Sequence, residues 1–241
     1  MIFSVITYND GDNRTTKADE VAKILSDISP DVFGLQETQE IHVPVYLEKT
    51  EDYACVYFDN DGTTYNSQPI FYKRSRFELL DCGIKWLSDT PDVKFSKYPE
   101  SAYIRSCTYA LLKEKESGEQ ILAVNTHIDY TAKGNIMQVT KIIDTVKKLG
   151  YSAPTFIMGD WNMRRTSEVY KILERAGYIA SEELAQDAVK AGTCVDEDKT
   201  IDFIFVCEKS VTCNAYKVIN DHKYSKTASD HFPVFAILKT K

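Results

Sequence analysis

Six cysteines (Cys55, Cys82, Cys107, Cys194, Cys207, Cys213) are present, but no C-x-x-C pair and no zinc-type spacing, so a thiolate metal site of that kind is excluded. Most lie in apolar runs such as Ala54-Cys55-Val56 and Phe205-Val206-Cys207, which favours free thiols over a disulfide framework. No apolar run approaches the roughly 20 residues of a membrane span. The start of the chain lacks the basic segment, apolar stretch and small-residue cleavage site of a secretory leader. A cytoplasmic monomer is therefore the expectation, with secretion the alternative for a chain whose leader has been removed. There is no excess of positive charge: 29 Lys and Arg against 36 Asp and Glu leave a net charge of -7, which argues against a broad basic surface for a nucleic-acid backbone. A local basic groove, or a divalent cation that offsets phosphate charge, stays open. Repeats, low-complexity tracts and linkers are absent too, so residues 1–241 read as one domain.

What the chain does have is Gly159-Asp160-Trp161-Asn162 at the end of an apolar run, Thr155-Phe156-Ile157-Met158, entered from Pro154. Such a run bounded by breakers reads as a buried strand. If it continues extended, Asp160 and Asn162 point to the same side and place an acid and an amide in one pocket. The alternative is a strand followed by an Asx-rich turn. A similar unit comes earlier: Pro30, then Asp31-Val32-Phe33-Gly34-Leu35-Gln36-Glu37, again an apolar strand leaving through a carboxylate. Glu37 reads equally as a solvated acid at a helix start.

Around these units the pattern alternates. Residues 2–8 form a β-branched and aromatic strand that delivers Asn9 to its end, and Thr16 with Asp19 resembles a capping box for a helix running to about Ser29. Short strands at 53–58, 69–72 and 77–87, and a hairpin of 107–113 with 120–126, suggest antiparallel sheet. Residues 88–101 form a long loop before Arg105. Helices are expected from Gly134 to about Lys148 and from Ser167, as N-cap, to Ala176. Residues 187–198 read as loop with a helical piece, and buried strands follow at 200–206, 213–219 and 232–238.

The polar residues left at strand exits are Asn9, Glu37, Asn125 with His127 and Asp129, Asp160 with Asn162, and Asp230 with His231; Asp202 opens a strand. Oxygen ligands without thiolates suit a hard cation such as Mg²⁺, commonly held by one or two carboxylates together with substrate phosphate at about 2.1 Å. Taken in order, Thr7-Tyr8-Asn9, Leu35-Gln36-Glu37, Asn125-Thr126-His127-Ile128-Asp129, Gly159-Asp160-Trp161-Asn162, Ile201-Asp202 and Ser229-Asp230-His231 resemble the motifs of the endonuclease/exonuclease/phosphatase superfamily over nearly the whole length.

That resemblance implies a DNase I-like α/β fold: a four-layer αββα sandwich of two mixed sheets face to face, with helices outside. It implies Mg²⁺, or Mn²⁺ in its place, held by Glu37 with Asn9 and Asp230 close to the metal or the phosphate. Asp160 would deprotonate the attacking water, Asn162 would hold phosphoryl oxygens, and His231, oriented by Asp202, would serve a non-bridging oxygen. His127 would meet the phosphate from the other side. Arg105, Asn9 and Tyr72 would contact the substrate, although a surface ion pair is the alternative for Arg105. The sequence departs from the pattern at Asn66, where a second acid is frequent, and at Tyr130, where a second histidine is frequent; the first departure favours one metal over two. The implied partner is a phosphate ester, small molecule or nucleic acid, with a nuclease as runner-up and a non-catalytic binding relative as the contrasting class. The densest basic run, Lys73-Arg74-Ser75-Arg76, reads as a solvated turn or as a nucleic-acid contact.

Overall fold

The computed structural model describes residues 1–11, 15–57 and 67–241, without the side chains of residues 15 and 16. The capping role of Thr16 and the departure at Asn66 lie outside the described residues. In chain order the elements begin with β1 (Ile2–Asn9), α1 (Thr15–Ile28), β2 (Val32–Gln36), α2 (His42–Lys49), β3 (Tyr53–Val56) and β4 (Ile70–Lys73). Then come β5 (Phe77–Trp86), β6 (Ser106–Glu114), β7 (Gln120–His127), α3 (Ala132–Leu149), β8 (Thr155–Asp160) and α4 (Glu168–Arg175). The chain closes with β9 (Tyr178–Ala180), α5 (Ser181–Leu184), β10 (Asp187–Val189), β11 (Asp202–Cys207), β12 (Val211–Val218) and β13 (Val234–Thr240).

The strands form two mixed sheets, ordered β10-β12-β13-β1-β2-β4-β3 and β5-β6-β7-β8-β11-β9. Period two explains how they stack. On β2, Val32 faces the other sheet while Phe33 and Leu35 face outward; on β8, Phe156 and Met158 face inward and Ile157 outward. Three apolar clusters result. The one between the sheets holds Phe3, Val5, Ala123, Phe156 and Met158. Outside the first sheet, Val21, Ile24 and Leu25 of α1 and Tyr46 of α2 cover Ile6, Phe33 and Phe71. Outside the second, Val139, Ile142 and Ile143 of α3 and Leu173 of α4 cover Val124, Ile157 and Phe205. This is the expected helix-sheet-sheet-helix order.

Two parallel pairs, β1 with β2 and β7 with β8, run side by side across the sandwich and bring four carboxyl ends to one edge. Gly159 is required for this: it lies opposite Thr126 in the β7–β8 register, and a Cβ there overlaps the Thr126 carbonyl oxygen and comes within 3.0 Å of its carbon. Backbone, unlike a side-chain tip, cannot yield. Gly159→Ala is expected to lower stability by about 1–3 kcal/mol or more, read as a lower midpoint in chemical denaturation.

Some expectations need correction. Residues 187–198 carry no helix; β10 pairs parallel with β12 at the sheet edge, and the helical turn α5 precedes it. Helix α2, which contains Pro44, and the three-residue β9 had no periodic signal long enough to read. Ser167 does cap α4, its hydroxyl accepting from the Tyr170 N–H at 3.2 Å. All six cysteines are free. Among the described residues, no helix is long and apolar enough to cross a membrane.

Candidate active site

The edge where β1, β2, β7 and β8 end gathers Asn9, Glu37, His127 and Asp160, and β11 enters the same edge antiparallel with Asp202 opposite Asp160. Sequence-distant strands thus meet because their ladders run in the same direction. Beneath them lies a buried polar layer. Asn125 donates to the carbonyls of Leu35 and Pro69 at 2.8 and 2.9 Å, and Gln36 donates to the Asn125 side-chain oxygen at 2.7 Å. Both side chains are fully buried, so this link holds the two sheets in register just below the site.

Asp160 is enclosed at this edge, 2 % exposed, beside the fully buried Asp202. Its Oδ2 accepts from Asn9 Nδ2 at 3.0 Å, and its Oδ1 accepts from the Asn162 N–H at 2.9 Å. Burial first, then the Asp202 carboxylate, raises its pKa to about 7. The strand ends here: Asn162 has φ 46°, a left-handed conformation that asparagine tolerates, so Asn162 reaches the site through an Asx turn and not by extended alternation. Trp161, fully buried, anchors the turn by donating to the Phe203 carbonyl at 3.1 Å.

Asn162 Nδ2 lies 2.9 Å from His127 Nε2 and donates to the Ile128 carbonyl at 3.0 Å. An amide donor there makes Nε2 the acceptor, so the proton sits on Nδ1. His127 Nδ1 is buried with no hydrogen-bond partner, 3.8 Å from Glu37 Oε1. Burial, with help from Arg105 and His231, holds His127 well below the usual imidazole range. His231 behaves oppositely. Burial disfavours its cation, but Asp202, whose Oδ2 is 2.9 Å from Nδ1, together with Asp160 and Asp230, outweighs that and raises its pKa to about 10.

Glu37 stands just past β2 in a left-handed conformation, φ 62°, with its side chain 31 % exposed. Asn9 Nδ2 reaches Glu37 Oε1 at 3.3 Å as well as Asp160, while Asn9 Oδ1 accepts from the Gly11 N–H at 3.0 Å. Asn9 as oriented therefore bridges two acids with its donor and keeps its oxygen for the backbone. Asp230 is exposed on the rim. The donor set fits a hard cation. Asp160, Asp202 and His231 come within 4.8 Å of one another, but His231 as a cation has no lone pair to give, so the carboxylates are what could hold an ion: Asp202 Oδ1 is buried without a partner, and the Glu37 side chain is 31 % exposed. Asp202 is already engaged with His231, which leaves Glu37 as the more available carboxylate for such a cation.

Arg105 is half-buried beside this cluster, close enough for its charge to act on His127 and Asp129. Tyr72 does not join it. Strand β4 runs antiparallel to β2, pairing Tyr72 with Val32 far from Glu37, and the ring is buried in the core between the sheets. The basic run is at that remote end too. Arg76 pairs with Asp31 at 2.7 Å and Arg74 donates to the Glu51 carbonyl, so the run braces a turn and does not face the site. Sequence reasoning missed Gln36 and Thr193. Thr193 Oγ1 accepts from the N–H groups of Ile201 and Asp202 at 3.1 and 3.3 Å, and its carbonyl accepts from Phe232 at 2.7 Å, fixing the His231–Asp202 pair from both sides. A lone threonine in a loop carries no sequence signal for that.

A structure from Bacteroides vulgatus described as an endonuclease/exonuclease/phosphatase superposes over 100% of both chains with TM-score 0.91 at 22% identity, a likeness of fold. A mannosyl-6-phosphatase of Bacteroides thetaiotaomicron is 26% identical with TM-score 0.88, over 98% of this chain and 99% of that one. Protein angel of Drosophila melanogaster is 25% identical over 143 residues, 56% of this chain and 40% of that protein's length. The model of the endonuclease/exonuclease/phosphatase family matches residues 7–231, spanning every strand-end group from Asn9 to His231, and the chain belongs to that family.

Proposed function

We propose that this chain is a Mg²⁺-dependent phosphoric ester hydrolase in which Asp160 activates water, with organic phosphates and nucleotides as the substrate class. The observation that carries the reading is the buried Asp160 carboxylate, oriented by Asn9 and the Asn162 N–H and faced by the His231–Asp202 pair. Such a carboxylate, raised toward neutrality, suits a general base. The imidazolium of His231, 3.9 Å from Asp160 Oδ2, supplies positive charge where a phosphoryl oxygen gains negative charge. His127, neutral with its Nδ1–H unpartnered, donates to a second phosphoryl oxygen, and the Asn162 amide keeps that tautomer. Arg105 adds charge on the same side. A divalent cation held by Glu37 supplies Lewis-acid polarisation of the phosphoryl group when bound. The family's members include phosphatases and nucleases, and the 26% identical mannosyl-6-phosphatase supports a small organic phosphate.

The test is hydrolysis of a generic monoester, a generic diester, supercoiled DNA and single-stranded oligonucleotides, with chelator and then with added Mg²⁺. Turnover is expected to stop with chelator and return with Mg²⁺, and Glu37→Gln is expected to lower it on the order of a hundredfold. Metal-independent turnover, or a Glu37→Gln rate equal to the parent, would sink the metal assignment.

A further inference from the structure

We infer that Tyr103 and Tyr130 form a ring-stacking subsite that selects phosphate esters bearing a nucleobase, an inference that rests on the hydrolase reading above. Six aliphatic residues are exposed singly: Ile2, Ile41, Leu80, Val93, Ile136 and Val189. The two large aromatic side chains exposed among the described residues, Tyr103 at 53% and Tyr130 at 59%, touch each other. Their ring centroids are 5.9 Å apart at 62°, an edge-to-face contact that leaves ring surface open to solvent.

The backbone that carries the pair is held by hydrogen bonds to one buried carboxylate. Asp129, fully buried, accepts from the Tyr103 N–H at 2.9 Å through Oδ2 and from the Thr131 N–H at 2.8 Å through Oδ1. Its own N–H donates to Gln138 Oε1 at 2.7 Å, and Gln138 Nε2 donates to Ser101 Oγ at 2.9 Å. One carboxylate thus ties the loop before β6 to the turn before α3, with a tyrosine on each. Fixing the backbone under two exposed rings that also touch each other lowers the entropic cost of stacking a ligand on them.

Two short chain connections tie them to the groups assigned to the phosphate. Asp129 lies two residues beyond His127, and Arg105 lies two beyond Tyr103 with its guanidinium 5.1 Å from that ring. A ligand with its phosphate against His127 and Arg105 meets the tyrosines with the part of the molecule beyond the phosphate. A polyhydroxyl sugar needs free acceptors and donors there. Asp129 is committed to backbone and the Thr131 hydroxyl donates to the Glu100 carbonyl at 3.0 Å, so what the two tyrosines add is mainly flat π surface, with a phenol hydroxyl at the edge of each ring. Base stacking on tyrosine needs only that surface. The net charge of -7, with Lys73 and Arg76 paired to Asp31 at the remote end, weakens long-range attraction for a polyanion and favours a base that belongs to a mononucleotide or to a strand terminus.

Calorimetry on Asp160→Asn protein, with Mg²⁺ present, would compare adenosine 5′-monophosphate, a dinucleotide, ribose 5-phosphate, mannose 6-phosphate and inorganic phosphate. Hydrolysis of the same esters by the parent would run beside it. The nucleotide is expected to bind about 5- to 100-fold tighter than ribose 5-phosphate, with Tyr103→Ala and Tyr130→Ala each removing most of that advantage and Tyr103→Phe retaining it. A dinucleotide that binds tighter still in a tyrosine-dependent way identifies the strand terminus as the source. Equal affinity for nucleotide and ribose 5-phosphate, tighter binding of mannose 6-phosphate, or tyrosine variants that weaken every ligand alike would each overturn the subsite. Selective binding without turnover of any ester would leave the subsite standing and remove the hydrolase reading; turnover without selectivity would do the reverse.

Discussion

Asp160→Asn is expected to lower hydrolysis by about a hundredfold to ten-thousandfold while leaving the protein folded. Asparagine has the volume of aspartate, and its one oxygen keeps a single acceptor in a place where Asp160 now receives Asn9 Nδ2 and the Asn162 N–H. One of those two hydrogen bonds is lost. Against that, the change removes an anion buried beside Asp202, a position where burial and like charge both act against ionisation. These effects oppose each other, so the denaturation midpoint should move little. The rate should collapse, because the other buried carboxylate facing this point, Asp202, is bound to His231. Steady-state rates with the denaturation midpoint as control check this, and a variant as active as the parent would show that another group takes the proton.

Asn125→Ala should have the largest effect on stability, a loss on the order of 3 kcal/mol or more. Three hydrogen bonds meet at this one side chain, all in the buried layer between sheets. Alanine removes the donor to two carbonyls and the acceptor for Gln36, and each buried polar group left unpaired costs about 1–3 kcal/mol. Pro69 keeps a second partner, since its carbonyl also accepts from the Leu35 N–H at 3.1 Å, which tempers the sum. Set against a typical total of about 5–15 kcal/mol, the loss is a large share. Because Gln36 precedes Glu37 and Asn125 lies two residues before His127, loosening this link should lower turnover as well. Chemical denaturation with parallel rate measurements tests both; a change under about 1 kcal/mol would mean that the sheets are held together by apolar packing alone.

Local pattern made most of the architecture legible. The apolar runs at 32–36 and 155–158, each entered from proline and leaving through an acid, identified β2 and β8 as buried strands, and Ser167 identified the start of α4. Helix α2 was not legible, because Pro44 and neighbouring β-branched residues break the helical pattern that tertiary packing of Tyr46 against Phe71 restores. The order of polar strand ends gave the candidate site, but not its internal roles. The resemblance implies Asn9 close to the metal or the phosphate, and in the structure its amide bridges two carboxylates. Asp129 was read only as one of the strand-exit polar groups and proves to clamp the tyrosine rim. Tyr72 was read as a substrate contact and is core.

The physical reason is one of range. Residue type, hydrophobic period and breakers act over a few positions, so the sequence by itself determined which segments become strands and helices and which acids stand at their ends. Direction and register are long-range properties. Only the parallel pairing of β1 with β2 and β7 with β8 put Glu37 and Asp160 on one edge, only the antiparallel run of β4 carried Tyr72 away from it, and only packing across the sandwich set the Asn125–Gln36 link beneath it.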